Sequence, residues 1–275
     1  MSYSPTEILK VTYKRLKRTF TTPKDALSSI DKLKIRFMVD KGINRYDVLG
    51  HTVIFPVHPY WFGHSYYEIF EEQVYKFTPK NSNPLIIDCG SNIGLSLIYF
   101  GRNYPGAKII AFEPDKNLFG ILNQNLESFG LRSRVEVHNS AVWTEDTTLQ
   151  FEATGGMNGA IATGTANKTG TVDVPAERLK SYLGQKVDFL KIDIEGAEMD
   201  VLRDCIEELP NVDNIFIEYH CRNNEKQELD ELFRIMTNAG FRYYLRVANE
   251  NMQFPYVEKI GKYMDIQLNI FGFRV

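Results

Sequence analysis

Three observations predict an α/β fold around a mostly parallel, seven-stranded sheet. A short apolar run ends in an acid and a glycine turn at residues 85–94; strand-like and helix-like segments alternate from Pro84 onward; two more strand-like segments follow Gly240. Alternation of this kind gives a parallel sheet with helices on both faces and ligands at the carboxyl ends of its strands.

Residues 1–80 read as an N-terminal accessory region and 81–275 as the main domain. Ile8, Leu9, Thr12, Leu16 and Phe20 follow helical spacing, with Lys10, Lys14, Lys17 and Arg18 largely on other faces. Such a basic amphipathic helix packs on the main domain or a partner subunit, as in a homodimer, or rests on an anionic membrane surface. The aromatic stretch 58–68 is either a plug between the two regions or a cap over a cofactor or acceptor, with Tyr67 and Glu68 the residues expected to reach the cofactor. Strands are expected at 85–88, 108–112, 134–138, 187–192 and 213–219, and helices at 116–129, 197–207 and 225–239. Residues 150–172, rich in Gly, Thr, Ala and Asn, interrupt the alternation as a hairpin or a covering loop. Segments 241–247 and 264–274 read as a terminal antiparallel hairpin.

Composition narrows the function class. The 275 residues are 43% hydrophobic and 24% charged, ordinary for a globular chain, and the net charge of −3 gives no electrostatic support for bulk nucleic-acid binding. No apolar run is long enough to span a membrane, and no hydrophobic leader region opens the chain, so a cytoplasmic location is expected. Cys89, Cys205 and Cys221 have no metal-ligand spacing, and an odd count argues for buried reduced thiols.

The run Leu85-Ile86-Ile87-Asp88-Cys89-Gly90-Ser91-Asn92-Ile93-Gly94 has the form of a strand, a tight loop and a helix N-terminus at the nucleotide edge of a Rossmann-like sheet. Its glycines are expected to let a ligand approach the backbone. Dinucleotide sites use G-x-G-x-x-G, with a pyrophosphate on the helix N-terminus. Here the middle glycine is missing and Asp88 precedes the turn. An acid suits an ammonium and repels a pyrophosphate, which points to S-adenosylmethionine. The next strand-like run ends at Phe112-Glu113-Pro114, where Glu113 is placed to accept hydrogen bonds from both ribose hydroxyls.

A second constellation carries the chemistry. The segment Phe189-Leu190-Lys191-Ile192-Asp193-Ile194-Glu195-Gly196 delivers Asp193 and Glu195 to a strand end, and Ile217-Glu218-Tyr219-His220 delivers Glu218 and His220 to the same edge. Transfer of a methyl group to a hydroxyl needs a positioned acceptor and removal of its proton. His220 is the natural general base, with the acids orienting it or gripping neighbouring hydroxyls. The same acids are candidates for a divalent cation such as magnesium. The sequence lacks the Asn/Asp-Pro-Pro-Tyr/Phe and Pro-Cys signatures of enzymes that methylate nucleic acid bases, so no nucleic-acid substrate is expected.

The chain resembles the FkbM-type family of S-adenosylmethionine-dependent methyltransferases. The resemblance rests on IIDCGSNIG (86–94), AFEPD (111–115), Asn139-Ser140-Ala141-Val142, FLKIDIEGAE (189–198) and IEYH (217–220), in that order. It implies a Rossmann-like class I methyltransferase fold and O-methylation of a sugar, glycan unit or other polyhydroxyl small molecule. By the resemblance, Asp88, Gly90, Asn92 and Gly94, with Ser91 between them, line the methionine half of the cofactor. Glu113 and Pro114 flank the ribose, Ser140 and Ala141 border the adenine, and Asp193 stands near the methyl group. The readings set against it are methylation of a polyketide or peptide, a nucleotide-dependent oxidoreductase, and a non-catalytic protein that binds S-adenosylmethionine.

Overall fold

A computed structural model describes residues 23, 25–38, 44–56, 59–152, 160–161, 171–261 and 264–275. The expected basic helix at 8–20 lies outside the described residues. The chain begins with helix α1 (Ser29–Met38), a two-residue hairpin of β1 (Arg45–Val48) and β2 (His51–Ile54), and helix α2 (Pro59–Tyr66), which runs on as a π-helical turn through Glu71. The hairpin turn puts Leu49 and Gly50 at positive φ (55° and 82°), the twist that a tight connection between antiparallel strands requires.

The alternation then follows. β3 (Leu85–Cys89), α3 (Leu95–Asn103), β4 (Lys108–Phe112), α4 (Lys116–Ser128) and β5 (Val135–His138) form the first half. β10 (Val187–Ile192), α5 (Glu198–Asp204), β11 (Val212–Arg222), α6 (Leu229–Asn238), β12 (Arg242–Val247), the short α7 (Pro255–Glu258) and β13 (Met264–Phe273) form the second. Between them β6 (Ala141–Trp143), β7 (Thr147–Glu152), β8 (Ala160–Ile161) and β9 (Thr171–Arg178) make a separate four-stranded sheet, so the 150–172 segment is a hairpin in its described part.

The main sheet has the order β12-β13-β11-β10-β3-β4-β5. β3, β4, β5, β10 and β11 pair in parallel, and β13 is antiparallel to both neighbours, as the expected terminal hairpin requires. The order reverses at β3, between β4 and β10, and this switch point places the carboxyl ends of β3, β4 and β10 side by side.

Parallel strands covered on both faces are apolar throughout, and β3 and β10 are buried along their whole length. Alternate side chains feed two apolar layers. Ile86 joins Leu97, Phe100 and Leu122 on one face, while Ile87 and Cys89 join Leu190, Leu202 and Ile217 on the other. The first layer also takes Val53, Phe55, Phe62, Tyr66 and Phe70, so the aromatic N-terminal segment is built into the same core as α3 and α4. Phe55 stacks on Phe62 at 4.8 Å and Tyr66 on Phe70 at 4.4 Å. Among the described residues, no helix is long and apolar enough to cross a membrane.

Candidate functional site

The loop after β3 is shaped by the protein itself. Gly90, Asn92 and Gly94 all have positive φ (89°, 50° and 85°). A Cβ on Gly90 would sit 1.8 Å from the Asp193 carbonyl oxygen, and one on Gly94 3.2 Å from Leu122 Cγ. The glycine at 90 is therefore required by the close passage of the β10 end, a correction to the expectation that ligand approach alone demands it. Gly90 N and Ser91 N both donate to Phe112 O, at 3.1 and 2.9 Å, which fastens the loop to β4.

Glu113 follows β4 directly and faces this loop. Its carboxylate accepts from Asn92 N at 2.7 Å and from Asp115 N at 2.9 Å. Each oxygen has taken one donor and keeps acceptor capacity for another. Burial pushes its pKa up to about 7, against those two backbone hydrogen bonds.

Asp88 takes a different place from the one expected. It is wholly buried and lines neither of the two cavities described below. Ser96 donates to its Oδ2, and Oδ1 lies 3.3 Å from Lys191 Nζ. The ammonium beside Asp88 thus belongs to Lys191, which reaches across from β10. Lys191 also donates to Gly90 O at 2.8 Å and lies 3.2 Å from an Asp193 carboxylate oxygen. Burial opposes its charge, but Asp193 and Asp88 outweigh burial and hold its pKa well above the ordinary lysine range. The sequence signal was a lysine inside a buried apolar strand, a position tolerated only when the charge is paired.

His220 is likewise set behind the surface. Its side chain is 1% exposed, and it too lines neither cavity. Nδ1 lies 3.0 Å from Glu198 Oε1, while Nε2 faces Glu218 at 3.6 Å and Glu195 at 3.8 Å. Burial works against protonation, but Glu198 and the other two acids prevail and raise its pKa well above 6.5. Gln267 Nε2 also lies 3.4 Å from His220 Nε2, so the ring stands between Glu198 on one side and Gln267, Glu218 and Glu195 on the other. Glu198, a residue that sequence reasoning passed over, also accepts from Ile194 N at 3.2 Å and Gly196 N at 3.0 Å. It clamps the turn that carries Asp193 and Glu195.

The two remaining acids are tuned upward. Glu195, itself at φ 58°, has its pKa raised to about 7 by burial, opposed by His220. Glu218 is raised to about 8 by burial and by the charge of Asp193, with His220 and a 2.7 Å hydrogen bond from Gln267 pulling the other way. Asp193, Glu195 and His220 each offer an atom within 4.8 Å of the others, close enough for a divalent cation.

Two cavities meet here. The first runs along the ends of β4 and β5 between Glu113, Pro114, Leu118, Ser140, Ala141 and Phe151. The second, larger cavity, about 430 Å³, is lined by Trp61, His64, Glu68, Glu218, Asn249, Met264 and Gln267 among others. Gly90, Asn92, Asp193 and Glu195 line both and form the neck between them. Ser91 lines the second only, Gly94 lines neither, and Tyr67 is half-exposed, lining neither and hydrogen-bonded to Glu72.

The methyltransferase FkbM domain matches residues 88–243, more than half of the chain. The chain belongs to the FkbM methyltransferase family. Methyltransferase 1 of Beauveria bassiana is 33% identical over 178 residues, covering 55% of this chain and 70% of that one. Methyltransferase sdnD of Sordaria araneosa is 31% identical over 177 residues, covering 52% and 68%. Among solved structures, M. jannaschii TYW2 in complex with AdoMet is 13% identical with a TM-score of 0.47, covering 84% of this chain and 86% of that one. The FkbM region holds the loop after β3, Glu113, Ser140 and the cluster around His220. Trp61, His64, Glu68 and Gln267, which wall the second cavity, fall outside it.

Proposed function

We propose that this FkbM methyltransferase uses S-adenosylmethionine to O-methylate a hydroxyl of a sugar, a glycan unit or a related polyhydroxyl small molecule. The reading rests on one observation: two cavities of unequal size and character that join at Gly90, Asn92, Asp193 and Glu195. The first suits an adenosine. Leu118, Val142 and Phe151 give it apolar walls, and the Glu113 carboxylate has acceptor capacity for ribose hydroxyls. The neck suits the methyl donor, and the second cavity suits the acceptor, with the indole of Trp61 opposite carboxyl groups that accept from hydroxyls.

When bound, the cofactor supplies an electrophilic methyl group on a sulfonium. Glu218 lines only the acceptor cavity, and its pKa of about 8 matches the demand on a base at neutral pH. With an acceptor in place, Glu218 would take the proton of the hydroxyl that becomes methylated. Gln267 holds one carboxylate oxygen of Glu218, and the charged His220 behind it favours the ionised form. Lys191 fixes Asp193 and the Gly90 carbonyl at the neck, and Glu198 fixes the turn bearing Glu195. The three cysteines are free and buried, which agrees with action in a reducing cytoplasm.

Calorimetric titration with S-adenosylmethionine and with NAD, repeated on Glu113→Ala, tests the cofactor. Micromolar binding of the first alone, weakened at least tenfold in the variant, is expected; binding of NAD alone overturns the reading. Methyl transfer to members of a sugar panel then tests the acceptor class. Transfer only to a polyketide or peptide hydroxyl corrects it.

A further inference from the structure

The first cavity is lined by a buried hydroxyl, Ser140, whose hydrogen bond is directed by a residue outside the cavity. Ser140 follows β5 and lines the cavity, while Glu177 on β9 does not. β9 runs beside β6 with Glu177 opposite Val142, and this pairing carries the carboxylate behind Ser140. Ser140 Oγ lies 2.6 Å from Glu177 Oε1. Tyr182 donates to the other carboxylate oxygen, and His138 Nδ1 lies 3.0 Å from Oε1. Burial pushes the Glu177 carboxyl up, but the bonds from Ser140, Tyr182 and His138 outweigh it and hold the pKa below the ordinary value. An ionised carboxylate only accepts, so all three neighbours must donate to it.

A serine hydroxyl has one proton and two lone pairs. With its proton committed to Glu177, Ser140 has only acceptor capacity left for whatever enters the cavity. We propose that Glu177 fixes Ser140 as a hydrogen-bond acceptor toward the base of the bound cofactor, so that the cavity selects a 6-amino purine over its 6-oxo counterpart. An exocyclic amine donates to the serine oxygen. A 6-oxo group would set lone pair against lone pair and leave a buried acceptor unpaired, a penalty that separates close analogues well. Ser140 is here a specificity-determining residue, and Glu177 positions it.

The inference rests on the placement of adenosine in the first cavity, and the test separates the two. Affinities for S-adenosylhomocysteine and S-inosylhomocysteine are measured by calorimetry on the wild type, Ser140→Ala and the near-isosteric Glu177→Gln. The wild type is expected to favour the adenosyl compound by roughly tenfold or more, the scale of one lost hydrogen bond with an unsatisfied partner. In both variants the preference should fall to within about threefold, with thermal unfolding confirming that each is folded. A wild type that binds both compounds equally, or favours the inosyl form, overturns the inference and leaves the cofactor reading standing. A wild type that binds neither removes the cofactor reading itself. A preference kept in Ser140→Ala overturns the role of the serine, and one kept in Glu177→Gln that of the glutamate.

Discussion

Lys191 donates to the carbonyl of Gly90 across 2.8 Å, joining the end of β10 to the loop after β3. The same ammonium lies within 3.3 Å of Asp88 and 3.2 Å of Asp193, so one buried cation fixes both strand ends that meet at the neck. Replacing it with methionine leaves the wholly buried Asp88 carboxylate without its cation. Lys191→Met is expected to lose about 3–5 kcal/mol of unfolding free energy, the usual cost of stripping one partner from a buried pair. Adding Asp88→Asn should restore part of that loss. Denaturant unfolding of both variants measures it, and a single variant as stable as wild type would contradict the structural account.

Glu218→Gln should lower kcat by roughly 10²–10⁴-fold while leaving cofactor affinity unchanged, because the residue lines only the acceptor cavity. A base works in its ionised form, and Glu218 ionises as pH rises through about 8. Turnover should therefore climb with pH between about 7 and 9 and level off above. A wild-type profile that is flat across this interval would rule Glu218 out.

His220 sharpens the same measurement. Its charge lowers the Glu218 pKa, so His220→Ala should move the rising limb of the profile to higher pH. A general base would act differently, since its removal would lower turnover at every pH. A limb that stays in place would show that His220 does not tune Glu218.

Exhaustive chelation should leave turnover unchanged if His220, which lies 3.0–3.8 Å from Glu195, Glu198 and Glu218, serves that cluster in place of a cation. Activity lost on chelation and restored by magnesium would instead assign the cluster to a cation.

Gly90→Ala should cost about 1–3 kcal/mol from its left-handed backbone alone. The 1.8 Å clash with the Asp193 carbonyl adds to this, and cofactor affinity should fall with it, as read by titration and thermal unfolding. Full binding by a stable variant would mean that the loop and the β10 end move apart freely.

The sheet was legible because apolar period and glycine punctuation report strands directly. The expected strands at 85–88, 108–112 and 187–192 occur within one residue of those bounds. The neck was legible for the same reason: strand ends at a switch point place Asp193, Glu195 and Glu218 together. What the sequence could not report was which charge faces which. Asp88 and His220 both sit at strand ends, yet each turns toward the interior and meets a partner from another strand or turn, Lys191 or Glu198. Those pairings join residues 103 and 22 positions apart, and no local spacing encodes them. Gln267 was hidden similarly, since only the antiparallel register of β13 against β11 brings it beside Glu218 and His220.

The outer walls of the acceptor cavity come from two stretches, one before residue 88 and one after residue 243, while the neck and the first cavity lie almost wholly between those points. Most of the outer wall is thus carried on lengths of polypeptide separate from the neck, with Gln267 as the link through its hydrogen bond to Glu218. Exchanging the stretches around Trp61 and Gln267 for those of another member is a direct route to a new acceptor, because such a graft leaves Lys191, Glu198 and the loop after β3 as they are.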